Sequence, residues 1–407
     1  MGSIMERMGR KKNRGEEKKF SVEENFTLDG SAGDDKIRVA QIMGKLWAGG
    51  VENVVFNYYR QMDKSKVEFD FFIDDDSTVE PPEDLLAMGA HFYKIPRYQK
   101  LPFYLKTLKG YLKRNRYNIV HSHINTISIF PLYVAWRAKI PIRIAHSHSI
   151  LGGKELKKNL LKLFLRMFAK IFPTDYFACS EQAGRWMFGK RTFQKGNVHI
   201  VRNSIDFDKF RLSEEILQHY RTKLKLENKF VICHIGRFTY AKNHKFLLEI
   251  FYEFLKINEN AILLLVGDGE LHDDIVDEID RLNLREYVIL TGKVPDSEKY
   301  YRLADIVILP SFYEGLPLVV LESQIAGVPV LVSEAIPDEA VISNSVMKMS
   351  LDDSAEEWAH NALVFSKQDV TLNTNSELYN IKISAPELTA WYQERVRSYR
   401  MRKRDNA

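Results

Sequence analysis

The chain has 407 residues, of which 45% are hydrophobic and 28% are charged, and 59 Lys and Arg against 54 Asp and Glu give a formal net charge of +5. This length is too great for one ordinary hydrophobic core, so two domains are predicted. The composition is that of a globular protein, and so small a net charge does not indicate a nucleic-acid partner.

The beginning of the chain and its apolar runs indicate a cytoplasmic protein. Residues 1–35 are rich in Lys and Arg, contain no secretory apolar core, and are predicted to be disordered. No apolar run approaches the roughly 18 residues of a transmembrane helix. Cys179 and Cys233 both stand beside strand-like apolar runs, so no disulfide framework is expected and the cytoplasm is the predicted location.

From residue 36 the chain alternates short apolar strands with amphipathic helices. In the first half, strands are predicted at 37–43, 67–73, 119–121, 142–146, 176–179 and 198–201. Helices are predicted between them at 51–62, 104–116, 129–137 and 156–172. Strict β–α alternation predicts a parallel sheet with right-handed crossovers.

A second alternating series begins at residue 230. Its predicted strands are 230–235, 261–266, 288–290, 306–309 and 328–332, and its predicted helices are 245–256, 271–282, 298–303 and 318–326. The two series predict two doubly wound α/β domains, at 36–205 and 206–384. Residues 385–407 are predicted to form a C-terminal helix and tail, and its return to the first domain is left open.

Glycines and polar residues cluster where the predicted strands end. In the second half these are Gly236, the run 267–269, the pair 291–292 and Ser311; in the first half they are Gly49, Gly50, His121, His123, His146 and His148. Open parallel sheets bind ligands at the carboxyl ends of their strands. Two such rims predict a site in a cleft between two facing domains.

Charged residues at two strand ends of the second half predict a nucleotide-sugar site. Glu314 and Glu322 follow the strand 306–309, and Arg237 and Lys242 follow the strand 230–235. Carboxylates bind hydroxyl groups, whereas the cations and a helix opened near Gly315 suit phosphate. Glu322 lies in a largely apolar helix, so its charge is costly unless it is paired or faces a ligand.

Three other patterns have simpler interpretations. The run 267–269 lacks the full dinucleotide-binding glycine spacing and predicts a tight turn. The histidines at 121, 123, 146 and 148 do not match a usual zinc spacing, so no metal site is predicted. The run Asp74, Asp75 and Asp76 is interpreted as a solvated turn.

Together these motifs resemble those of the retaining glycosyltransferases of family 4, which have the GT-B fold. The match extends from about residue 36 to the end and is most specific from Gly236 to Gly327. The exopolysaccharide and capsular polysaccharide enzymes are the most similar members. The resemblance implies two Rossmann-like domains facing across a cleft, and transfer of a sugar from a nucleoside diphosphate donor without a metal or other cofactor.

The resemblance also implies residue roles. Arg237 and Lys242 match the pair that grips the donor diphosphate, Glu314 the carboxylate on the donor sugar, and Glu322 the carboxylate on the ribose. The implied donor-binding backbone positions are Gly49, Gly50, Gly236, Gly315, Leu316, Leu318 and Val319, with the base-binding loop at 291–294 ending in Val294. His148 or His146 matches the histidine near the anomeric carbon, with His148 favoured. Ser204 departs from the glycine usual at the domain junction.

The resulting hypothesis is a retaining enzyme that moves a hexose or N-acetylhexosamine from a UDP-sugar to a glycan or lipid-linked acceptor in polysaccharide biosynthesis. One alternative is a nucleotide-sugar epimerase of the same architecture. Another is a catalytically inactive nucleotide-sugar-binding subunit. No nucleic-acid partner is expected.

A basic and apolar segment predicts contact with an anionic membrane surface. Lys154, Lys158, Lys162, Arg166 and Lys170 recur at every fourth position, beside nine apolar residues between 160 and 172. A helix of this kind binds membrane surfaces through its apolar residues and its charges. The alternative is that the helix 156–172 packs its apolar side on the first domain and only exposes its lysines.

Overall fold

The computed structural model describes residues 36–46, 50–148, 156–294 and 296–405, without the side chains of 156–158. The first part of the described chain forms a sheet of seven parallel strands in the order β3-β2-β1-β4-β5-β6-β7. These strands are β1 (Ile37–Gly44), β2 (Val67–Asp74), β3 (His91–Ile95), β4 (Ile119–Ser122), β5 (Ile142–Ser147), β6 (Asp175–Ala178) and β7 (Val198–Ile200).

Helices cover both faces of this sheet. Phe71 and Phe72 of β2 point to opposite faces and are both fully buried, as expected for a parallel strand between two helical layers. The helices are α1 (Gly50–Gln61), α2 (Glu83–Ala87), α3 (Leu101–Arg114), α4 (Ile129–Arg137), α5 (Leu156–Arg166), α6 (Glu181–Phe188) and α7 (Lys190–Gln194).

The second part of the described chain forms a parallel sheet of six strands in the order β10-β9-β8-β11-β12-β13. The strands are β8 (Phe230–Ile235), β9 (Ala261–Val266), β10 (Val288–Gly292), β11 (Ile306–Leu309), β12 (Val330–Ser333) and β13 (Val346–Met349). The helices are α8 (Glu214–Lys223), α9 (His244–Ile257), α10 (His272–Arg281), α11 (Glu298–Leu303), α12 (Leu318–Ile325) and α13 (Ala355–Phe365). The predicted pair of doubly wound domains is confirmed.

The last helix, α14 (Ile381–Asp405), returns to the first sheet. Its residues Ile381, Leu388, Tyr392 and Val396 are buried in the same apolar cluster as β1 and β2. The helix begins four residues before the predicted segment 385–407 and contains Pro386 near its start. Pro386 is the sixth residue of the helix and has no amide hydrogen to donate, yet the helix continues through it.

Ser204, which stands where a glycine is usual, makes hydrogen bonds at the domain junction. Its hydroxyl lies 3.1 Å from the Tyr58 hydroxyl of α1 and donates to the Ser384 hydroxyl of α14 at 2.9 Å. This buried serine therefore joins the first domain, the junction and the returning helix. The two domains also meet at Gly50, where a Cβ would lie 3.6 Å from Leu318 Cδ1 at the start of α12.

The helix predicted over 156–172 is wrong in length, because α5 ends at Arg166. Beyond it, the amides of residues 167, 168, 169 and 171 donate to carbonyls three residues earlier, which are tight turns before Pro173. Lys170 therefore lies outside the helix, and Lys154 and the side chain of Lys158 lie outside the described part of the chain.

The alternative for this segment, that its apolar residues pack on the first domain, is also wrong for most of them. Leu160, Leu161, Leu163 and Phe164 are exposed, as are Met167 and Ile171 just beyond the helix. Only Leu165 and Ala169 of this stretch are buried apolar residues. Within the described residues, no helix is both long enough and apolar enough to cross a membrane.

Candidate active site

A lysine and a glutamate meet where two neighbouring strands of the second sheet diverge. After β8 the chain leads to β9, and after β11 it leads to β12 on the other side, so a crevice opens between β8 and β11. Lys242 closes a short 3-10 turn after β8, and its Nζ donates to Glu314 Oε1 at 2.6 Å. Ser311 Oγ donates to the same oxygen at 2.9 Å. The predicted diphosphate cation and sugar carboxylate therefore lie side by side.

Glycines allow the strand ends beside this pair to approach closely. Gly267 has φ +139°, and a Cβ there would lie 1.9 Å from the Gly236 carbonyl oxygen. A Cβ at Gly236 would lie 3.2 Å from Lys242 Cε. A larger residue at Gly267 would thus push away the Gly236 backbone, whereas one at Gly236 would crowd the Lys242 side chain.

The start of α12 lies directly after Glu314 and presents unused backbone donors. Its N-cap residue, Pro317, makes no side-chain capping bond, so the first amides of the helix, including those of Leu318 and Val319, are not capped by it. A Cβ at Gly315 would meet nothing within 4 Å, so the approach is open. Uncapped amides at a helix start attract anions. Leu316 is partly buried against the core beside them.

Glu322 is held by a tyrosine that the sequence did not identify. The Tyr301 hydroxyl of α11 donates to Glu322 Oε2 at 2.6 Å. Burial raises the pKa of Glu322, although the hydrogen bond from Tyr301 opposes this shift. The expectation that this carboxylate is paired is met by Tyr301, and its predicted role on a ribose stays a prediction.

Arg237 is not brought to the Lys242–Glu314 pair. Its side chain is 64% exposed, and Nη2 lies 3.2 Å from Glu270 Oε2. The predicted base-binding loop follows β10, where the Gly292 carbonyl accepts from Gly267 N at 3.0 Å. Val294 is partly buried in this loop beside the second core. Gly49 lies outside the described residues.

Two hydrogen-bonded histidine pairs lie at the carboxyl ends of β4 and β5. The first begins at Tyr392 of α14, whose hydroxyl lies 2.8 Å from His121 Nδ1. His121 Nε2 lies 3.0 Å from His146 Nδ1. His146 Nε2 is buried and has no partner among the described residues.

The second pair begins at Gln41 of β1, whose Oε1 lies 2.8 Å from His123 Nε2. His123 Nδ1 lies 2.9 Å from His148 Nε2, and the buried His148 Nδ1 has no partner among the described residues. Because Gln41 Oε1 can only accept, His123 Nε2 donates, His148 Nε2 donates in turn, and His148 Nδ1 is left as an acceptor. Each pair therefore leaves one ring nitrogen for a ligand.

Burial keeps the rings of His146 and His148 neutral. It lowers the pKa of His148 to about 3 and that of His146 well below its ordinary value. Nitrogens of His121, His123 and His146 lie within 4.8 Å of one another, a spacing that could hold a metal ion. Both ring nitrogens of His121 and His123 are already hydrogen-bonded, however, so an ion would have to displace those bonds. A site without metal stays the prediction.

The interpretation of the acidic run after β2 as a solvated turn is wrong for one of its residues. Asp74 is 6% exposed and lines a cavity, so the acidic run is not a fully solvated turn. Asp75 in the same run is exposed. The burial of Asp74 arises because it is the last residue of β2, and its side chain points inward next to Tyr104 of α3.

Two family models match the chain. One is described as glycosyl transferases group 1 and matches residues 218–368, and the other as glycosyltransferase family 4 and matches residues 48–209. The putative glycosyltransferase EpsF of Bacillus subtilis strain 168 is 31% identical over 329 residues, which cover 79% of this chain and 86% of that protein.

A further relative is the UDP-Gal:alpha-D-GlcNAc-diphosphoundecaprenol alpha-1,3-galactosyltransferase of Escherichia coli, which is 24% identical over 366 residues, covering 86% of this chain and 92% of that protein. Among solved structures, Anabaena HepE in complex with UDP-glucose has a TM-score of 0.67 at 16% identity, covering 89% of this chain and 98% of that one. At this identity the structural likeness supports the fold alone.

Proposed function

The chain belongs to glycosyltransferase family 4 and has the GT-B fold, and on this premise we propose that it is a retaining enzyme that uses a UDP-sugar. The transferred group is a hexose or N-acetylhexosamine, and the acceptor is a glycan or a lipid-linked sugar in polysaccharide biosynthesis. A relative supports this proposal, since the E. coli enzyme is named as a transferase of galactose to a lipid-linked diphosphate sugar.

The contact between Lys242 and Glu314 at 2.6 Å carries the proposal. A diphosphate and the sugar bonded to it need a cation and a hydroxyl-binding carboxylate at adjacent positions, and the crevice between β8 and β11 supplies both. Lys242 and the amides at the start of α12 would stabilise negative charge on the departing diphosphate. Arg237 lies on the same strand end and would join them by leaving Glu270, an exchange that costs little at an exposed ion pair.

The donor is tested by calorimetry with UDP-glucose, UDP-galactose, their N-acetylamino counterparts and GDP-mannose. We expect one UDP-sugar to bind and to be turned over slowly without acceptor. NMR of the glycoside product should show an α-linkage from the α-donor, with activity retained in excess chelator. An epimerised sugar as product, whether free or still bonded to UDP, would instead indicate the epimerase, and binding without turnover would indicate the inactive subunit.

The proposed location is the inner face of the cell membrane, where a lipid-linked acceptor would be found. Leu160 and Phe164 of α5 are 71% and 54% exposed, and Met167, just beyond the helix, is 67% exposed, which is unusual for apolar side chains that face only water. The rings of Tyr133 and Trp136 on α4 extend this apolar surface through Phe172, with ring centroids 5.3 and 5.7 Å from it. Arg166, one member of the predicted row of charges, lies over the Trp186 ring.

The membrane contact is tested by co-sedimentation with vesicles that contain or lack anionic lipid. Replacing Leu160, Phe164 and Met167 by Ser should abolish binding, since each apolar side chain inserts into the interface. The matched control replaces Ile257 and Val364, which are 47% and 58% exposed in the second domain. Unchanged binding of the triple variant, or negligible binding of the wild type at low salt, would contradict this location.

A further inference from the structure

A buried histidine of the second sheet lies close to Lys242. His234 interrupts the apolar run of β8 and is fully buried. Its Nδ1 lies 2.9 Å from the carbonyl oxygen of Ile308 on β11. Since a carbonyl oxygen can only accept, Nδ1 carries the proton and Nε2 of the neutral ring is an acceptor. This Nε2 is buried, and no donor from the described part of the chain reaches it.

The unpaired nitrogen of His234 and the side chain of Lys242 approach the same point. Alternate residues of a strand share one face of the sheet, so Gly236 lies on the same face as His234. A Cβ at Gly236 would lie 3.5 Å from His234 Nε2 and 3.2 Å from Lys242 Cε. Because glycine has no side chain, nothing at position 236 separates the histidine nitrogen from the lysine.

The second histidine beside His234 does not use this acceptor. The ring of His244, at the start of α9, lies 4.7 Å from the ring of His234 between centroids, at an angle of 69°. Neither ring nitrogen of His244 has a hydrogen-bond partner within the described residues. Burial holds the pKa of His234 well below its usual value, and His244 and Lys242 lower it further, although the bond to Ile308 opposes them. The ring therefore stays neutral and its Nε2 stays an acceptor.

Lys242 needs a second acceptor once a donor is bound. Its ammonium group has three N–H donors, of which one bonds Glu314, and the described residues offer no partner to the others. A carboxylate that stays on the ammonium offsets part of its charge. A neutral imidazole accepts a hydrogen bond and leaves the full positive charge for the departing diphosphate.

We propose that His234 is a positioning residue for Lys242. When the donor diphosphate draws the ammonium away from Glu314, His234 Nε2 accepts a hydrogen bond from Lys242 Nζ in place of the carboxylate. Glu314 is thereby released to bind hydroxyls of the donor sugar. This role rests on the proposed function, because it requires a diphosphate at Lys242, and His234 acts only through the lysine.

The first test follows the histidine rings by ¹⁵N NMR in protein labelled at histidine, with His234→Gln used to assign the signals. In the protein without ligand, His234 should show a protonated Nδ1 and an unprotonated Nε2. Saturation with UDP should move the Nε2 resonance in the direction of an accepted hydrogen bond. In Lys242→Met, which keeps a long side chain but has no donor, saturation with UDP should leave the resonance in place.

The second test measures donor turnover and calorimetric UDP affinity in single and double variants. His234→Phe should lower both about 10-fold, which corresponds to one hydrogen bond, but should lower neither further when Lys242 is already Met. His234→Gln should recover part of the loss, since its amide oxygen can accept from the lysine. His244→Phe is the matched control, because it changes the adjacent buried ring without removing this bond, and both quantities should stay at wild-type values.

The role of His234 and the proposed function can fail separately. If the wild type binds UDP and the Nε2 resonance does not move, or moves equally in Lys242→Met, the role of His234 is overturned. An equal loss from His234→Phe with and without the lysine would also overturn it, since that loss would be structural. If the wild type binds neither UDP nor a UDP-sugar, the proposed function fails and the role of His234 fails with it. Should His234→Phe not fold, the NMR comparison of wild type and Lys242→Met decides the question.

Discussion

Lys242 and Glu314 carry opposite charges and share a hydrogen bond, so each controls what the other can bind. With their side chains 15% and 14% exposed, the pair is shielded more than a surface ion pair and its contact is correspondingly stronger. A diphosphate arriving at Lys242 competes with Glu314 for the same ammonium group. Ser311, which donates to Glu314 Oε1, keeps the carboxylate in place when Lys242 turns towards phosphate.

We expect Lys242→Ala to slow donor turnover by about 10²–10³-fold and to weaken UDP binding, because it removes charge stabilisation of the leaving group. Glu314→Gln should slow turnover while leaving UDP affinity equal or tighter, since it frees the Lys242 ammonium. The measurements are donor turnover and calorimetric UDP affinity. Lys256→Ala is the control, because the more exposed pair of Lys256 with Glu253 has the same 2.6 Å spacing. Loss of UDP affinity in Glu314→Gln as severe as in Lys242→Ala would contradict the assigned roles.

His146 and His148 should stay neutral under ordinary assay conditions. Burial lowers the pKa of His148 to about 3 and that of His146 well below its ordinary value, so neither ring should gain a proton near neutral pH. We therefore expect His146→Asn and His148→Asn to lower donor turnover without changing the shape of its pH profile. The variant with the larger loss identifies the ring that faces the sugar. A wild-type limb between about pH 6 and 7 that vanishes in either variant would show that the ring does titrate.

At the scale of elements, the sequence predicted the apolar strands but missed several helices, namely α2, α6, α7, α8 and α13. The strands of both sheet centres were predicted because their apolar runs are uninterrupted. β3 and β13 were missed, since each is a half-buried edge strand that contains a lysine, Lys94 or Lys348. α5 was predicted too long because its apolar residues continue past Arg166 although the backbone turns there.

Within the candidate site, the sequence predicted residues that follow a strand but not the contacts that they make with distant parts of the chain. Lys242 and Glu314 were found because each stands at a fixed short distance after a strand. Their neighbours were not, because Tyr301 reaches Glu322 and Tyr392 reaches His121 across sequence separations of 21 and 271 residues. Such contacts depend on how α11 and α14 cross the sheets, which no local pattern specifies.

The returning helix α14 supplies a hydrogen bond to the histidines through Tyr392, and removing this bond should lower the stability of the protein measurably. Tyr392→Phe keeps the ring in the core but leaves His121 Nδ1 buried without its partner. We expect the free energy of unfolding to fall by about 1–3 kcal/mol, the cost of one unsatisfied buried group. Urea denaturation measures it, and Tyr399→Phe on the same helix, where the side chain is 38% exposed, is the control. Equal stability of Tyr392→Phe and wild type would mean that the bond is not formed in solution.

At the scale of the whole molecule, buried histidines and buried carboxyls oppose each other in acid. Burial lowers the pKa of seven histidines: His121, His123, His146, His148 and the more exposed His199 in the first domain, and His234 and His244 in the second. Each of these rings is neutral in the folded protein. Its contribution to the free energy of unfolding is therefore complete above about pH 6.5, the pKa of histidine in the unfolded chain, and is lost as the pH falls below that value. Burial raises the pKa of Asp74 to about 6 and also raises the pKa of Asp305, Glu322 and Glu339, so these four carboxyls contribute in the opposite sense once the pH falls below their raised pKa values.

The histidines outnumber this opposing group and act first, so stability should fall steadily from about pH 7.5 to about pH 5.5. Each buried histidine contributes a loss of up to about 1.4 kcal/mol per pH unit once the unfolded chain is protonated. His244→Phe isolates one such contribution, because neither ring nitrogen of His244 has a partner among the described residues and the ring packs against Phe238. In urea denaturation across this range, His244→Phe should reduce the dependence of the free energy of unfolding on pH by the contribution of about one histidine. His360→Gln, which changes an exposed residue of α13, should leave this dependence unchanged. Parallel slopes for wild type and His244→Phe would place the acid sensitivity elsewhere, and undiminished stability at about pH 5.5 would mean that the buried rings accept protons without unfolding the chain.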